Sequence, residues 1–262
     1  MSTFKLTIAY DGTDLIGWQR QADGMSVQGL LEDALRELDG RDVTVVGAGR
    51  TDAGVHAVGQ VASCSLARDI DAGVLLRALN AHLPVTVRVL RAEPALPNFH
   101  ARFDAISKHY RYRLWNGPAV PPFERLYVWH LLGPLDLDAM NDAAKRLEGT
   151  HDFAAFQGTG SSVATTTRQI TMSRLTAGPT GIAEEKLYGR LISYDVAADG
   201  FLRHMVRTIV GTLVDIGLGR KPPAWMDDVL ASRDRRAAGQ TAPASGLVLA
   251  AVDYRHSLAT DA

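Results

Sequence analysis

The sequence predicts an α+β protein whose antiparallel sheets carry helices on one face. Two observations lead there. Segments with period-2 alternation and segments with a helical apolar stripe are mixed along the chain. Their order lacks the strict strand–helix alternation that a doubly wound parallel sheet requires. Composition agrees, because 262 residues with 46% hydrophobic and 22% charged side chains match ordinary globular chains and exclude disorder, collagen and coiled coil.

The elements follow in order. Phe4, Leu6, Ile8 and Tyr10 alternate with polar or small neighbours, a strand that Asp11-Gly12 ends. Ser26 is a good N-cap for a helix with Leu30, Leu31, Ala34, Leu35 and Leu38 on one stripe, and Gly40 is placed to stop it. Val43, Val45 and Val46 read as a short strand, and Val58 to Leu66 as another. Asp71 caps a helix through Leu79 that Pro84 closes, and Arg91 to Asn98, with two prolines, reads as a connector. Beyond it come a strand over 108–114, a helix over 136–147 and a strand over 188–196. A helix over 202–216 and a final strand over 247–254 complete the set. The Gly-, Ser- and Thr-rich stretch 157–168 is expected to be a mobile surface loop.

Charge and cysteine usage narrow the function classes. A formal charge of −1, from 28 Lys+Arg against 29 Asp+Glu, is not the basic balance of a dedicated nucleic-acid binder. A single cysteine, Cys64, excludes an intrachain disulfide and a cysteine-based zinc cluster. The eight histidines include no recognisable metal-site spacing, so no metal is expected. The N-terminal residues enter a strand with no apolar signal core, and no apolar run is long enough for a bilayer. A cytoplasmic protein without a membrane partner is the expectation.

Three segments can carry chemistry. In Gly49-Arg50-Thr51-Asp52-Ala53-Gly54-Val55-His56 a carboxylate sits in a glycine-flanked turn just past a strand. Turn chemistry alone favours an Asx turn over catalysis at Asp52, while the dinucleotide and Walker phosphate loops do not fit. In Lys108-His-Tyr-Arg-Tyr-Arg113 the strand period puts Tyr110 and Tyr112 on one face and His109, Arg111 and Arg113 on the other. Rings interleaved with cations suit RNA, and equally suit an ordinary amphipathic strand. Around Phe201 to Gly211, Arg203 and Arg207 are four apart and fall together at the rim of an apolar helical arc. There an arginine either snorkels or needs a carboxylate such as Asp52.

Taken together, these segments resemble the tRNA pseudouridine synthase A family. The resemblance rests on Gly49 to His56, on Tyr10-Asp-Gly with Gly17-Trp-Gln-Arg-Gln21, and on Phe99-His-Ala-Arg-Phe103. Lys108 to Tyr112, Phe201 to Gly211, Thr241-Ala-Pro-Ala and Gly246-Leu-Val-Leu agree in the same order, so it extends over nearly the whole chain. It departs at Leu15 and Ile16, where the family usually has an aromatic, and over 157–168.

The resemblance implies the pseudouridine synthase fold. That fold has two similar α+β subdomains whose antiparallel sheets join into one central sheet, with the active cleft between the halves. It sets the halves at 1–104, carrying the Asp loop, and 105–262, carrying the Tyr strand and the Arg helix. It implies isomerisation of uridine to pseudouridine in the tRNA anticodon stem-loop, at tRNA positions 38, 39 and 40, without a cofactor, by a homodimer. Asp52 takes the role of nucleophile, at C1′ or through a glycal. Tyr110 stacks on the target base, Arg50 fills the space the flipped nucleotide leaves, and Arg207 favours the ionised carboxylate.

The resemblance leaves two competitors, an RNA-binding protein without activity and a glycoside hydrolase, which needs a second carboxylate near Asp52. With a near-neutral total, RNA binding requires the basic residues to be localised. Residues 100–130 carry an excess of three positive charges and 201–220 an excess of two, which predicts a basic cleft on a neutral body.

Overall fold

The computed structural model describes residues 1–160, 163–178 and 188–255. The chain forms two compact units, Met1–Lys108 with the residues from Val248 onward, and His109–Leu247. The expected division at 104/105 gave the whole C-terminal stretch to the second half. The last strand instead belongs with the first unit, where its backbone pairs with an earlier strand.

In the first unit the strand order is β4-β1-β3-β10, from β1 (Ser2–Tyr10), β3 (His56–Leu66), β4 (Val87–Ala95) and β10 (Leu247–Tyr254). β1 lies antiparallel to β3, with Phe4 opposite Cys64 and Leu6 opposite Ala62. The inward set Phe4, Leu6, Ile8 and Tyr10 is buried, as the alternation predicts. β10 runs parallel to β3, with Val248 opposite His56. The short β2 (Val46–Gly47) pairs with β3 and delivers the chain to the turn that holds Asp52. The connector expected over 91–98 is in large part β4, which pairs along β1 from Val87 to Ala95. Pro94 is tolerated because β4 ends this strand order, where a missing N–H leaves no ladder partner unpaired.

Helix α1 (Val27–Asp39) begins and ends where its caps direct. Ser26 Oγ accepts from the Gly29 N–H at 3.2 Å, and Gly40 closes the helix in the left-handed region at φ 71°. Asp71 caps α2 (Ala72–His82) in the same way, and α2 packs on β4 and α1.

The second unit has the order β5-β9-β8-β7, from β5 (Ala105–Asn116), β7 (Gly149–Asp152), β8 (Thr167–Gly178) and β9 (Arg190–Ala198), with β6 (Trp129–Leu131) beside β5. Helix α3 (Leu137–Lys145), capped by Asp136, packs on β8 and on the apolar helix α4 (Met205–Gly217). A further helix, α5 (Trp225–Ser232), follows. The loop expected over 157–168 ends earlier, since Thr167 already pairs with Asp152 as β8 begins. Residues 161 and 162 of that stretch lie outside the described residues.

Ser26 is buried, so its cap has no water to replace it. Ser26→Ala is expected to lower the unfolding free energy by about 1 kcal/mol, read from the urea midpoint at unchanged slope.

Candidate active site

Asp52 lies in the turn between β2 and β3, partly exposed, with Thr51 buried on one side and Val55 and His56 buried on the other. The turn is closed by the Val55 N–H donating to the Asp52 carbonyl at 3.1 Å. A second loop, residues 11–18, clamps it from outside. The Trp18 N–H donates to the Thr51 carbonyl at 3.0 Å, and the Gly54 N–H donates to the Leu15 carbonyl at 3.3 Å. Leu15, which stands where an aromatic was expected, is itself buried. The clamp continues into α1, whose Val27 and Gln28 N–H groups donate to the Gly17 and Trp18 carbonyls at 3.2 and 2.9 Å. Those are orphan donors of a helix start, satisfied here by the loop that grips the Asp52 turn.

Two glycines make the approach possible. A Cβ on Gly17, at φ +104°, would lie 2.5 Å from the Thr51 carbonyl oxygen. One on Gly12 would lie 2.1 Å from the Val55 carbonyl oxygen. The Gly12 N–H in turn donates to His56 Nδ1 at 3.0 Å, so this histidine ties the same two segments together.

Beneath the turn, Tyr10 Oη and Thr51 Oγ1 share a hydrogen bond of 2.8 Å, and Gln60 Nε2 donates to the Gly49 carbonyl at 2.9 Å. Burial pushes the Tyr10 phenol up to about 12, with its hydrogen bonds to Thr51 and Gln60 opposing, so it stays neutral. This support is invisible to motif reading, although β1 alternation does place Tyr10 on the inward face. Arg50 sits two residues before Asp52 in the same turn, with its side chain exposed.

Tyr110 and Arg207 belong to the second unit. Tyr110, on β5, is 7% exposed and meets Phe201 edge-to-face at 5.1 Å between ring centroids and 86° between planes. Arg207 lies on α4, and its Nε donates to the Ala242 carbonyl at 2.7 Å while the Ala242 N–H donates to the Arg207 carbonyl at 3.1 Å. Tyr112, two residues past Tyr110, donates its hydroxyl to the Pro243 carbonyl at 2.8 Å. The Thr241-Ala-Pro-Ala segment is therefore the strap that orients both side chains.

Arg203 departs from expectation. The helix was expected from Leu202, which would set Arg203 beside Arg207. His204 adopts φ 60°, and α4 starts only at Met205. Arg203 thus precedes the helix, and its guanidinium donates to the Thr159 carbonyl at 3.1 Å.

The opposite face of β5 is also more occupied than its composition suggests. His109 Nε2 and Arg111 Nε lie 2.9 and 2.8 Å from Asp195 Oδ1, and Arg113 pairs with Glu124 at 2.7 Å. Asp195 on β9 is 4% exposed. Burial alone would raise it, but the His109 and Arg111 hydrogen bonds hold its carboxyl below the ordinary aspartate value. Arg220 pairs with Asp215 at 2.8 Å. Arg111, Arg113 and Arg220 therefore each face a carboxylate within the unit.

With this geometry described, comparison with known proteins gives the family. The model for "tRNA pseudouridine synthase" matches residues 6–104 and 143–255. The chain belongs to the tRNA pseudouridine synthase family. Relatives called tRNA pseudouridine synthase A include one from Pelobacter propionicus, 45% identical over 97% of this chain and 100% of its own. Another from Moorella thermoacetica is 46% identical over 97% and 100%, and one from Chloroflexus aurantiacus 47% over 97% and 89%. As a pseudouridine synthase the chain is an isomerase with an α+β fold.

In this synthase the Gly17 contact is directly testable. Gly17→Ala is expected to lower the rate of pseudouridine formation by at least about tenfold, because backbone rather than a flexible side chain must shift. Single-turnover kinetics on a protein whose circular dichroism is unchanged checks it. A second expectation concerns Asp195. Its native carboxyl titrates below the unfolded value, so its stabilisation is complete above the unfolded value and lost as pH falls through the native one. The stability gap between wild type and Asp195→Asn should therefore narrow as pH drops below about 4, measured by urea denaturation across pH.

Proposed function

We propose that this chain isomerises uridine to pseudouridine in the anticodon stem-loop of tRNA, at tRNA positions 38, 39 and 40, with Asp52 as the nucleophile. The observation that carries the reading is the clamped turn. A carboxylate on a turn gripped by backbone hydrogen bonds and glycine contacts is positioned before substrate arrives, which is what attack at a sugar carbon demands. The family and the curated relatives supply the substrate class.

The chemistry balances without an outside reagent. The Asp52 carboxylate attacks C1′ as the N1–C1′ bond breaks, and uracil leaves as its N1 anion. After the base turns, C5 bonds to C1′ and the carboxylate is expelled. C5 then gives up its proton and N1 gains one, so product and substrate have the same atoms and oxidation state. Tyr110 lies against the base and assists removal of the C5 proton, while Arg207 binds the substrate as a cation. Arg50, exposed on the Asp52 turn, fills the gap in the stem when the nucleotide is extruded, a step that side-chain access to C1′ requires.

The same reading takes the working form as a cytoplasmic homodimer that binds tRNA. No helix among the described residues is long and apolar enough to cross a membrane. The cations open to RNA include the exposed Arg50, Arg102 and Arg203.

One experiment tests the proposal. An unmodified tRNA transcript with uridine at the three positions is incubated with wild type and with Asp52→Asn, and pseudouridine is mapped by position. Wild type should convert these uridines. Asp52→Asn should bind the transcript with affinity that falls as salt rises, and form no pseudouridine. Turnover surviving in Asp52→Asn would overturn the assignment, and turnover of free nucleosides alone would favour a hydrolase.

A further inference from the structure

The turn from Phe99 to Asp104 is rooted in the first unit by its middle residue. Ala101 is fully buried, its N–H donates to Ser63 Oγ at 3.2 Å, and its carbonyl accepts from the Tyr254 hydroxyl at 2.7 Å. Phe99 packs edge-on against the Tyr254 ring at 5.3 Å. One end of the turn is thus fastened to β3 and β10.

The rest of the turn holds an imidazole in place. The His100 carbonyl accepts from the Phe103 and Asp104 N–H groups, both at 3.1 Å. His100 Nδ1 accepts from the Arg102 and Phe103 N–H groups, both at 3.2 Å. Asp104 Oδ2 accepts from the His100 N–H at 2.8 Å, which turns that carboxylate back onto the backbone. On the imidazole so fixed, the Phe103 ring stacks at 4.2 Å between centroids and 28° between planes. The ring is nevertheless 75% exposed, and Arg102 Cζ lies 5.6 Å from its centroid. A phenylalanine stacked on a fixed imidazole yet left largely in water buries little apolar surface for the fold. A ring already stacked in place has less freedom to lose when a flat ligand docks on it.

We propose that Phe103, backed by His100 and flanked by Arg102, is a stacking platform for an unpaired nucleotide of the RNA substrate other than the uridine that reacts. The ring takes the face of the base, and the Arg102 guanidinium takes an adjoining phosphate. The cation over the ring and the imidazole stacked on it favour RNA over a second copy of this chain, for which a purely apolar patch would serve better. The proposal rests on the tRNA reading given above and adds where a nucleotide outside the reaction centre is held.

The test uses the full chain with Phe103→Ala and Phe103→Trp. Affinity for an unmodified tRNA transcript is read by fluorescence anisotropy, the rate by single turnover at saturating tRNA, and the oligomeric state by sedimentation velocity. Phe103→Ala is expected to weaken binding about tenfold, the ordinary cost of losing one base–aromatic stack, with the saturating rate and sedimentation unchanged. Phe103→Trp should bind as wild type does. Equal affinity in Phe103→Ala, with wild type forming pseudouridine, would overturn the platform alone. A change in sedimentation would assign Phe103 to a contact between copies instead. A wild type that neither binds tRNA nor forms pseudouridine would overturn the functional reading, and the platform with it.

Discussion

Backbone contact between the 12–18 loop and the 51–55 turn is the constraint on which the first unit's chemistry depends. The bonds from Trp18 to Thr51 and from Gly54 to Leu15 join main-chain groups, so the geometry relies little on long side chains that must be ordered at an entropic cost. The contact also solves a second problem, since the first N–H groups of α1 need acceptors and find them in the same loop. Helix start, loop and turn are thereby one unit. Displacing any of them leaves buried polar groups unpaired, which costs about 1–3 kcal/mol for each. Asp52 inherits that rigidity without having to be buried itself.

The second unit orients its side chains by a related device. Residues 241–243 offer carbonyls to Arg207 and Tyr112, so a strap with little regular structure organises one helix and one strand. A guanidinium has five donors in a fixed fork. Using Nε on a backbone carbonyl sets the plane of the group and leaves its terminal nitrogens to other acceptors. On β5 the division of labour follows the strand period. One face buries Tyr110 and Tyr112, and the other commits His109 and Arg111 to the buried carboxylate of Asp195. Removing that carboxylate would leave the His109 and Arg111 nitrogens without this acceptor, so the cluster serves the fold of the unit. Counting charges along a segment therefore overstates what is offered to a phosphate.

Much of this was legible in the residues. Caps at Ser26 and Asp71 declared two helix starts, because a short side chain with an acceptor is what those N–H groups need. Alternation declared β1 and the face of β5 that carries the tyrosines. What failed did so for specific reasons. Pro94 read as a connector because residue type cannot say whether a strand will lie at an edge. Arg203 was set beside Arg207 because an apolar stripe does not show that His204 turns left-handed and delays the helix. The last strand was assigned by its place in the chain, whereas its pairing with β3 is a long-range event.

The sequence by itself determined many of the elements, the resemblance to the family and the presence of a carboxylate in a glycine-rich turn. Those follow from residue type and short-range spacing. Only the tertiary structure decided that the turn is clamped by a loop some forty residues earlier, that Arg207 is oriented by the 241–243 strap, and that Phe103 is stacked on His100 yet open to solvent. Each of these depends on backbone groups meeting across long stretches of chain. Every residue type except proline carries the same N–H and every residue the same carbonyl, so composition cannot say which will pair.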